Sequence, residues 1–223
     1  MYIPEHFRES RIETLHALIR QHSFGTLVSL VDGAPFATQL PFLLDGTRGA
    51  HGTLVGHMAR ANPHWTAFVG ASEPRIDGVA GVESLVMFAG PHAYVSPSWY
   101  EAPVAVPTWN YAAVHAYGRP RVIEDEDAIT QVLSRTVDTY EGGFEQPWRI
   151  DRLPSEVLER MAKNIVAFEI PIARLEGKLK LSQNRSAADR QSVIDTLSRS
   201  ASPEDVAVAE LMVLHSSPDR GRV

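Results

Sequence analysis

Two apolar runs that each end in an Asp-Gly pair set the strongest constraint on how this chain folds. FGTLVSLV is followed by Asp32-Gly33, and PFATQLPFLL is followed by Asp45-Gly46. Asp-Gly is favoured in two-residue hairpin turns, because both central positions of such a turn need a positive φ. The sequence therefore predicts antiparallel strands. Pro35 and Pro41 confine the second strand to a sheet edge or a bulge, since proline has no N–H to donate to a ladder.

Other segments extend this pattern of short strands. Further strands are expected in GTLVGHM (52–58), in SLVMFAG and HAYVSPSWY (84–100) with breaks at Gly90-Pro91 and near Pro97, in the run 106–123, and in IVAFEIPIARLEGKLKLSQ (165–183) with a break at Pro171. Residues 71–81 are predicted to form a surface loop.

Helices are expected between and after these strands. The predicted ones lie at 10–22, from apolar residues at helical spacing; at 62–68, from the Asn62-Pro63 start; at 124–143, from an acidic start and a Gly142-Gly143 end; at 154–164; and after two capping boxes, Ser186 with Asp189 and Ser202 with Asp205. Strands at short spacing with inserted and appended helices favour an α+β antiparallel barrel rather than a parallel sheet. We expect one domain, with a barrel over residues 1–183 and a helical extension over 184–223.

Charge and composition narrow the classes of function. The formal net charge is −6, which does not favour DNA, although a local basic patch would still allow DNA contact. The chain has no cysteine, so disulfides and thiolate chemistry are excluded, as suits a reducing cytosol. No apolar run approaches the roughly 18 residues of a membrane span, and no secretory signal pattern opens the chain. A cytoplasmic protein without membrane contact is expected.

The run VPTWNYAAVHAYG places its aromatic residues on one face of a strand. Alternation directs Trp109, Tyr111, His115 and Tyr117 to one side and small or aliphatic residues to the other. Such a face is typical of a half-buried barrel wall, and it also suits a platform for a flat ligand ring.

Two polar stretches suggest a phosphate-bearing ligand. In GHMARANPHW, His57, Arg60 and Asn62 stand at a strand-to-helix junction, where an Arg fork and backbone N–H groups can hold a phosphate. A capped turn with a solvated Arg explains this stretch equally well. GKLKLSQNR supplies further cations and amides, although alternating Lys residues are also typical of a wet sheet edge. The nine His residues show no metal-ligand spacing, and we expect no metal.

Five stretches of the chain resemble the PaiB-like family, whose members are described as FMN-binding negative transcriptional regulators. They are MYIPEHF, GHMARANPHW, GPHAYVSPSWY, VPTWNYAAVHAYG and KLSQNRSAADR, and the resemblance spans residues 1 to about 200. It implies a split β-barrel of the FMN-binding type, similar to pyridoxamine-phosphate oxidases and flavin reductases. It further implies a homodimer with flavin at the subunit interface and a regulatory role linked to protease production and sporulation.

The resemblance also implies which residues bind FMN. Residues implied to bind the cofactor are Thr38, Gln39, Leu40, His57, Met58, Arg60, Asn62, Trp109, Asn110, His115, Gln183 and Arg185. No catalytic residue is assigned, and the oxidases' substrate-phosphate pattern is missing, so pyridoxamine oxidation is not expected. Two alternatives stay open: an FMN-dependent oxidoreductase, flavin reductase-like or haem-handling, and a cofactor-free interaction module on the same fold.

Overall fold

The computed structural model describes residues 1–69, 82–102 and 104–215. The strands are β1 Arg8–Glu9, β2 Phe24–Val31, β3 Ala34–Pro41, β4 Leu43–Asp45, β5 Thr53–Ala59, β6 Ser84–Val95, β7 Thr108–Gly118, β8 Arg121–Val122 and β9 Ile165–Lys180. The α-helices are α1 Ile12–Gln21, α2 Glu126–Glu141, α3 Ser155–Lys163, α4 Ala187–Leu197 and α5 Pro203–Leu214. Short 3-10 helices cover Glu5–Phe7, Pro63–Phe68, Pro97–Trp99 and Ile150–Arg152. The loop predicted at 71–81 lies outside the described residues.

The strands form one sheet of nine. Its order is β3-β2-β6-β7-β9-β5-β4, with β1 and β8 also paired to β9. By contacts the chain divides into two compact units. The first unit comprises the described parts of Met1–Leu15, Ala89–Val114 and Glu176–Val223, and the second comprises those of His16–Phe88 and His115–Leu175. The division at residue 184 into barrel and extension stays a prediction.

The β2–β3 hairpin of the second unit confirms the interpretation of the first Asp-Gly pair. Asp32 and Gly33 have φ of 52° and 78°, as a two-residue turn of this kind requires. Pairing runs from Val31 opposite Ala34 to Phe24 opposite Pro41. Among the described residues the strand order ends at β3, so the prediction that its prolines place it at an edge is confirmed.

Two expected strand breaks are wrong. β6 continues through Gly90-Pro91, and β9 continues through Pro171. Both prolines lie where ladder hydrogen bonding is not needed on one side. The pairing of β6 with β2 covers Leu85–Met87 and ends before Pro91, and the N–H of Ile172 donates to the carbonyl oxygen of Gly52, so the nitrogen of Pro171 faces away from β5.

The alternation along β7 is as predicted. Asn110, Ala112, Val114 and Ala116 are buried, whereas the aromatic face is half-buried or exposed. Gly118 is the last residue of β7, and its backbone lies close to that of Pro171. A Cβ at this position would collide with the carbonyl oxygen of Pro171. β7 therefore needs glycine at this end.

The helices begin and end close to their predicted limits. Asp125 caps α2 by accepting a hydrogen bond from the N–H of Ala128 at 2.8 Å. Ser186 accepts from the N–H of Asp189 at 3.1 Å, as its capping box predicts. Ser202 precedes α5 as expected but makes no side-chain cap bond, and Asp205 instead accepts from Ser200 Oγ at 2.6 Å.

Aromatic side chains form the core of the second unit. Phe42 makes edge-to-face contacts with Phe88 and Phe168 at centroid distances of 5.8 and 6.2 Å, and Phe68 lies 5.1 Å from Phe168. In the first unit α4 packs against α5. The buried residues of these two helices include Val193 and Leu197 of α4 and Val208 and Met212 of α5. None of the helices in the described part of the chain is long and apolar enough to cross a membrane.

Candidate functional site

The outer edge of β3 presents a short run of backbone groups. A two-residue hairpin closes on a hydrogen-bonded pair, here Val31 and Ala34, and such pairs then alternate with non-bonded ones. Phe36, Thr38 and Leu40 therefore direct their N–H groups to β2, whereas residues 35, 37, 39 and 41 direct theirs outward. Because residues 35 and 41 are prolines, the outward donors of β3 are the N–H groups of Ala37 and Gln39.

Asn62 links β3 to the following 3-10 helix. Its Oδ1 accepts from the N–H of His64 at 3.0 Å, and its Nδ2 donates to Oγ1 of Thr38 at 3.2 Å. Oγ1 of Thr38 also lies 2.8 Å from Nδ1 of His64. Two predicted site residues, Thr38 and Asn62, thus bond to each other directly, and both also contact His64, which the sequence analysis did not select.

His64 has no exposed surface. Its Nε2 lies 2.9 Å from Oγ of Ser29, and its ring contacts Phe36 and Phe68 at centroid distances of 5.1 and 6.0 Å. Burial lowers the pKa of His64 to about 4, because removal from water disfavours the imidazolium. The ring is therefore neutral at pH 7 and can donate through one nitrogen while accepting through the other.

Arg60 is exposed but held in place. Its Nε donates to the carbonyl oxygen of Lys163 at 3.0 Å and its Nη2 to that of Ile165 at 2.9 Å. Its guanidinium also lies 6.0 Å from the ring of Trp65, whose Nε1 donates to the Arg60 carbonyl at 3.0 Å. A guanidinium has five N–H donors, so three have no partner among the described residues and are available to a ligand anion.

His57, Met58 and Leu40 are less accessible. The side chains of Met58 and Leu40 are buried. Nδ1 of His57 is buried and has no hydrogen-bond partner among the described residues, and burial lowers the pKa of this ring as well. Their assignment to the cofactor stays a prediction, and the N–H of Leu40 points to β2, away from the free edge of β3.

The predicted residues on β7 have different environments. In the first unit, Trp109 is 53% exposed and contacts Tyr94 edge to face at 5.9 Å, so it is open to a ligand ring. Asn110 is fully buried, and its Nδ2 donates to Ser182 Oγ at 3.0 Å and to Met212 Sδ at 3.4 Å. The buried Asn110 side chain therefore anchors the start of β7 to Ser182 and Met212. His115 belongs to the second unit, is half-buried and lies 6.3 Å from the ring of Tyr117.

Gln183 and Arg185 shape the turn between β9 and α4. Gln183 accepts from the N–H of Leu181 at 2.7 Å and donates to the carbonyl of Leu179. The guanidinium of Arg185 stacks over the ring of Tyr100 at 4.4 Å. Both residues make local contacts in the first unit, and their contact with a cofactor stays a prediction.

Comparison with known sequences decides the family. Residues 1–174 match the family model described as "Putative FMN-binding domain". This chain belongs to that FMN-binding family. The chain is 37% identical over 212 residues to the Bacillus subtilis protein called protease synthase and sporulation protein PAI 2, and the match covers 95% of this chain and 96% of that one. An uncharacterised Emericella nidulans protein is 34% identical over 87% of this chain and 89% of its own length. The PaiB-like resemblance is confirmed.

Comparison with solved structures supports the same fold. The flavocytochrome Anf3 from Azotobacter vinelandii superimposes with a TM-score of 0.58 at 16% identity, covering 80% of this chain and 72% of that one. A FAD and haem binding protein from Mycobacterium smegmatis gives 0.57 at 19% identity, covering 83% and 78%. The expected fold class, α+β with an antiparallel sheet of the split-barrel type, is confirmed.

Membership of this family makes a flavin the cofactor of the chain. The second unit fits such a group, because β3 offers outward N–H donors to ring acceptors and Arg60 keeps three N–H groups for an anion. Sequence reasoning missed Ser29, Ser84 and His64. For His64 a signal existed, since a His two residues after a capping Asn falls at the buried start of a short helix.

Proposed function

We propose that this chain binds FMN along the free edge of β3 and acts as a homodimeric, flavin-dependent negative regulator of gene expression. The observation that carries the proposal is the placement of two N–H donors between two prolines on an edge strand. Adjacent outward groups on a strand are roughly 7 Å apart, a spacing that suits a fused ring with several acceptors along one side. Family membership supports flavin as the occupant.

FMN rather than a larger flavin is proposed from the predicted phosphate ligand. Arg60 is fixed by two carbonyls and retains three donors, so it can bind a terminal phosphate without ordering a flexible side chain. When bound, the isoalloxazine ring supplies redox chemistry. This chain's own residues bind and orient it, with Gln39 and Ala37 donating through the backbone.

The regulatory role is proposed from the relative's name. The Bacillus subtilis protein is named for protease synthesis and sporulation, and it matches this chain over nearly its whole length. Direct DNA binding receives little support from charge. In the described part of the chain, α4 and α5 carry Arg190 against Asp189, Asp195, Glu204, Asp205 and Glu210. We therefore propose that regulation acts through flavin state or a partner protein more than through a basic helix.

A substitution on the edge of β3 tests the proposed binding site. Gln39→Pro removes one outward N–H while keeping a strand-compatible residue, as the chain itself does at Pro35 and Pro41. Gln39→Ala is the matched control, because it removes the side chain and keeps the N–H. In a titration followed by flavin absorbance and fluorescence, we expect Gln39→Pro to weaken FMN binding about tenfold, the effect of one lost hydrogen bond. Gln39→Ala should stay within about threefold of the wild type.

Two results would overturn the site or the function. Equal FMN affinity in Gln39→Pro and Gln39→Ala would remove the edge of β3 from the site, and wild-type protein that retains no flavin after desalting would remove FMN binding itself. Light scattering with and without FMN tests the homodimer. A salt-dependent shift of the protein's own promoter DNA would contradict regulation without direct DNA contact.

A further inference from the structure

A chain of hydrogen bonds runs through the interior of the second unit. Oγ of Ser84 lies 2.6 Å from Oγ of Ser29, which lies 2.9 Å from Nε2 of His64. Nδ1 of His64 lies 2.8 Å from Oγ1 of Thr38. Ser84, Ser29 and His64 are 1%, 3% and 0% exposed, and Thr38 is half-buried on the edge strand. The chain of bonds therefore leads from the interior to the strand assigned to the flavin.

Only the Thr38 end of this chain has a fixed direction. The N–H of His64 donates to Oδ1 of Asn62, so Nδ2 of Asn62 faces Thr38 and donates to its Oγ1. Each remaining bond joins a hydroxyl to a hydroxyl or to a ring nitrogen, and either partner can be the donor. All these hydrogens can consequently reverse together.

The two arrangements differ in what Thr38 presents to a ligand. With the ring proton on Nε2, His64 donates to Ser29, Ser29 donates to Ser84, and Thr38 donates to Nδ1 while keeping an open lone pair. With the proton on Nδ1, Ser84 donates to Ser29, Ser29 donates to Nε2, and Nδ1 donates to Thr38. The Thr38 hydroxyl is then free to donate outward.

The far end of the chain opens on a small cavity. A cavity of about 230 Å³ is lined by residues that include Ser29, Ser84, Leu30, Pro35, Glu83 and Tyr117. This volume holds several water molecules, and the two serine hydroxyls are polar groups that a water can contact. Ser84 can therefore exchange a proton with water although its own surface is almost fully buried.

We propose that His64 is a tautomeric relay that moves a proton between the cavity at Ser84 and the ligand face of Thr38. The Thr38 hydroxyl donates its proton to an acceptor on the ligand and receives the proton from Nδ1 of His64. Nε2 of His64 then receives a proton from Ser29. Ser29 receives one from Ser84, and Ser84 receives one from cavity water. One proton enters, one leaves, no electron moves and no charge remains inside. The relay rests on the proposed flavin site for its acceptor, and it lets Thr38 serve a ligand atom that alternates between hydrogen-bond acceptor and donor.

The electrostatics of His64 support such a relay. Because its pKa is about 4, the ring stays neutral at pH 7, and a neutral ring is the form that has two tautomers. An imidazolium would fix both nitrogens as donors and prevent the reversal. Phe36 contacts the ring edge to face and Phe68 contacts it at a tilt, and neither ring competes for its nitrogens.

Substitutions at the two ends should push the tautomer in opposite directions. Ser84→Ala removes the alternative acceptor of the Ser29 hydroxyl, so Ser29 donates to Nε2 and the ring proton moves to Nδ1. Thr38→Val removes the acceptor of an Nδ1 proton, and since buried N–H groups are rarely left unpaired the proton moves to Nε2. We expect tautomer ratios to change about tenfold each way, as measured from imidazole ¹⁵N and ¹³C shifts of histidine-labelled, flavin-free protein.

Three further variants complete the experiment. Ser98→Ala disrupts another serine pair, in which Oγ of Ser96 and Oγ of Ser98 lie 2.7 Å apart, and should leave the His64 shifts unchanged. Thr38→Ser restores the hydroxyl and should restore the wild-type ratio. Ser29→Ala replaces Ser84→Ala if the latter does not fold, with the same direction expected. An identical His64 tautomer in the Ser84, Ser29 and Thr38 variants would overturn the relay. That result would leave FMN binding intact, whereas failure of FMN titration would leave the tautomer shifts unaffected.

Discussion

Oγ1 of Thr38 and Nδ1 of His64 lie 2.8 Å apart, which joins a half-buried residue of an edge strand to a ring with no exposed surface. A ligand on the β3 edge is thereby connected to the packing of the second unit. Any change in the charge of His64 alters both this contact and the stability of the fold, so the free energy of unfolding depends on pH through this residue.

Acidification should destabilise the protein through His64. Its folded pKa of about 4 lies below the ordinary value of 6.5, so the unfolded state takes up the proton first. The stabilisation is complete above pH 6.5 and is lost as the pH falls towards 4. For this group alone we expect the free energy of unfolding to fall by about 2 kcal/mol between pH 7 and pH 5, as measured by urea denaturation.

The variant His64→Gln isolates this contribution. Gln keeps polar contacts but does not titrate, so the pH dependence should be shallower by the same amount in the variant. His57 contributes with the same sign, because burial also lowers its pKa, and it remains in both proteins. Equal slopes in the wild type and His64→Gln would contradict the buried, neutral ring.

Arg60→Ala should weaken FMN binding by about tenfold and lower stability by about 1 kcal/mol. The first effect follows from the three donors available to a phosphate, and the second from the bonds to the carbonyls of Lys163 and Ile165. Calorimetric titration and thermal unfolding measure the two effects. Arg60→Lys keeps the charge but lacks the planar fork, so its FMN affinity should lie between wild type and Arg60→Ala. Unchanged affinity in Arg60→Ala would remove this residue from the site.

Gly118→Ala should destabilise the second unit by about 1–3 kcal/mol, the usual cost of forcing atoms into a packed site. The new Cβ would collide with the carbonyl oxygen of Pro171 and press on Ile170. Gly143→Ala is the matched control, since nothing lies within 4 Å of its Cβ position. Chemical denaturation should show a loss for Gly118→Ala alone, and equal stability of the two variants would contradict the close approach.

Ser186→Ala and Ser202→Ala should differ although both residues precede helices. Ser186 accepts from the N–H of Asp189, so its removal should cost about 1 kcal/mol. Ser202 makes no side-chain cap bond, so Ser202→Ala should lower the free energy of unfolding by only a few tenths of about 1 kcal/mol. Thermal unfolding of the two variants tests the difference. A loss for Ser202→Ala as large as that for Ser186→Ala would indicate a cap bond at α5.

The sequence predicted the local elements well because their signals are local. Asp32-Gly33 specifies its turn through φ alone, and the alternation on β7 follows from one apolar face. Proline was one source of error, and the second Asp-Gly pair was another, because Asp45 pairs with Thr53 across a longer loop and Gly46 has no positive φ. A break at Pro171 is expected from a missing N–H, but the nitrogen of Pro171 faces away from β5, and the side to which a nitrogen points depends on the pairing register, which is a tertiary fact.

The candidate site was only partly predictable for the same reason. Thr38 and Asn62 were selected from separate segments and bond to each other, yet His64, which contacts both, was not selected. The hydrogen bond between Ser29 and Ser84 joins residues 55 positions apart. Serine in a strand gives no signal of such a partner. Asn110 shows another case, because the family resemblance implies that it binds the cofactor, whereas its buried side chain bonds to Ser182 and Met212 and its contact with a cofactor stays a prediction.

The prolines that frame the outer edge of β3 have a consequence for self-association. A long edge strand normally templates the addition of further strands, the route to aggregation. Here Pro35 and Pro41 interrupt the donor row on either side of Ala37 and Gln39, so an incoming strand finds too few hydrogen bonds to extend the sheet. A small planar molecule needs no more than those two donors. Pro35 and Pro41 thus leave two donors for a small ligand and at the same time prevent the addition of further strands.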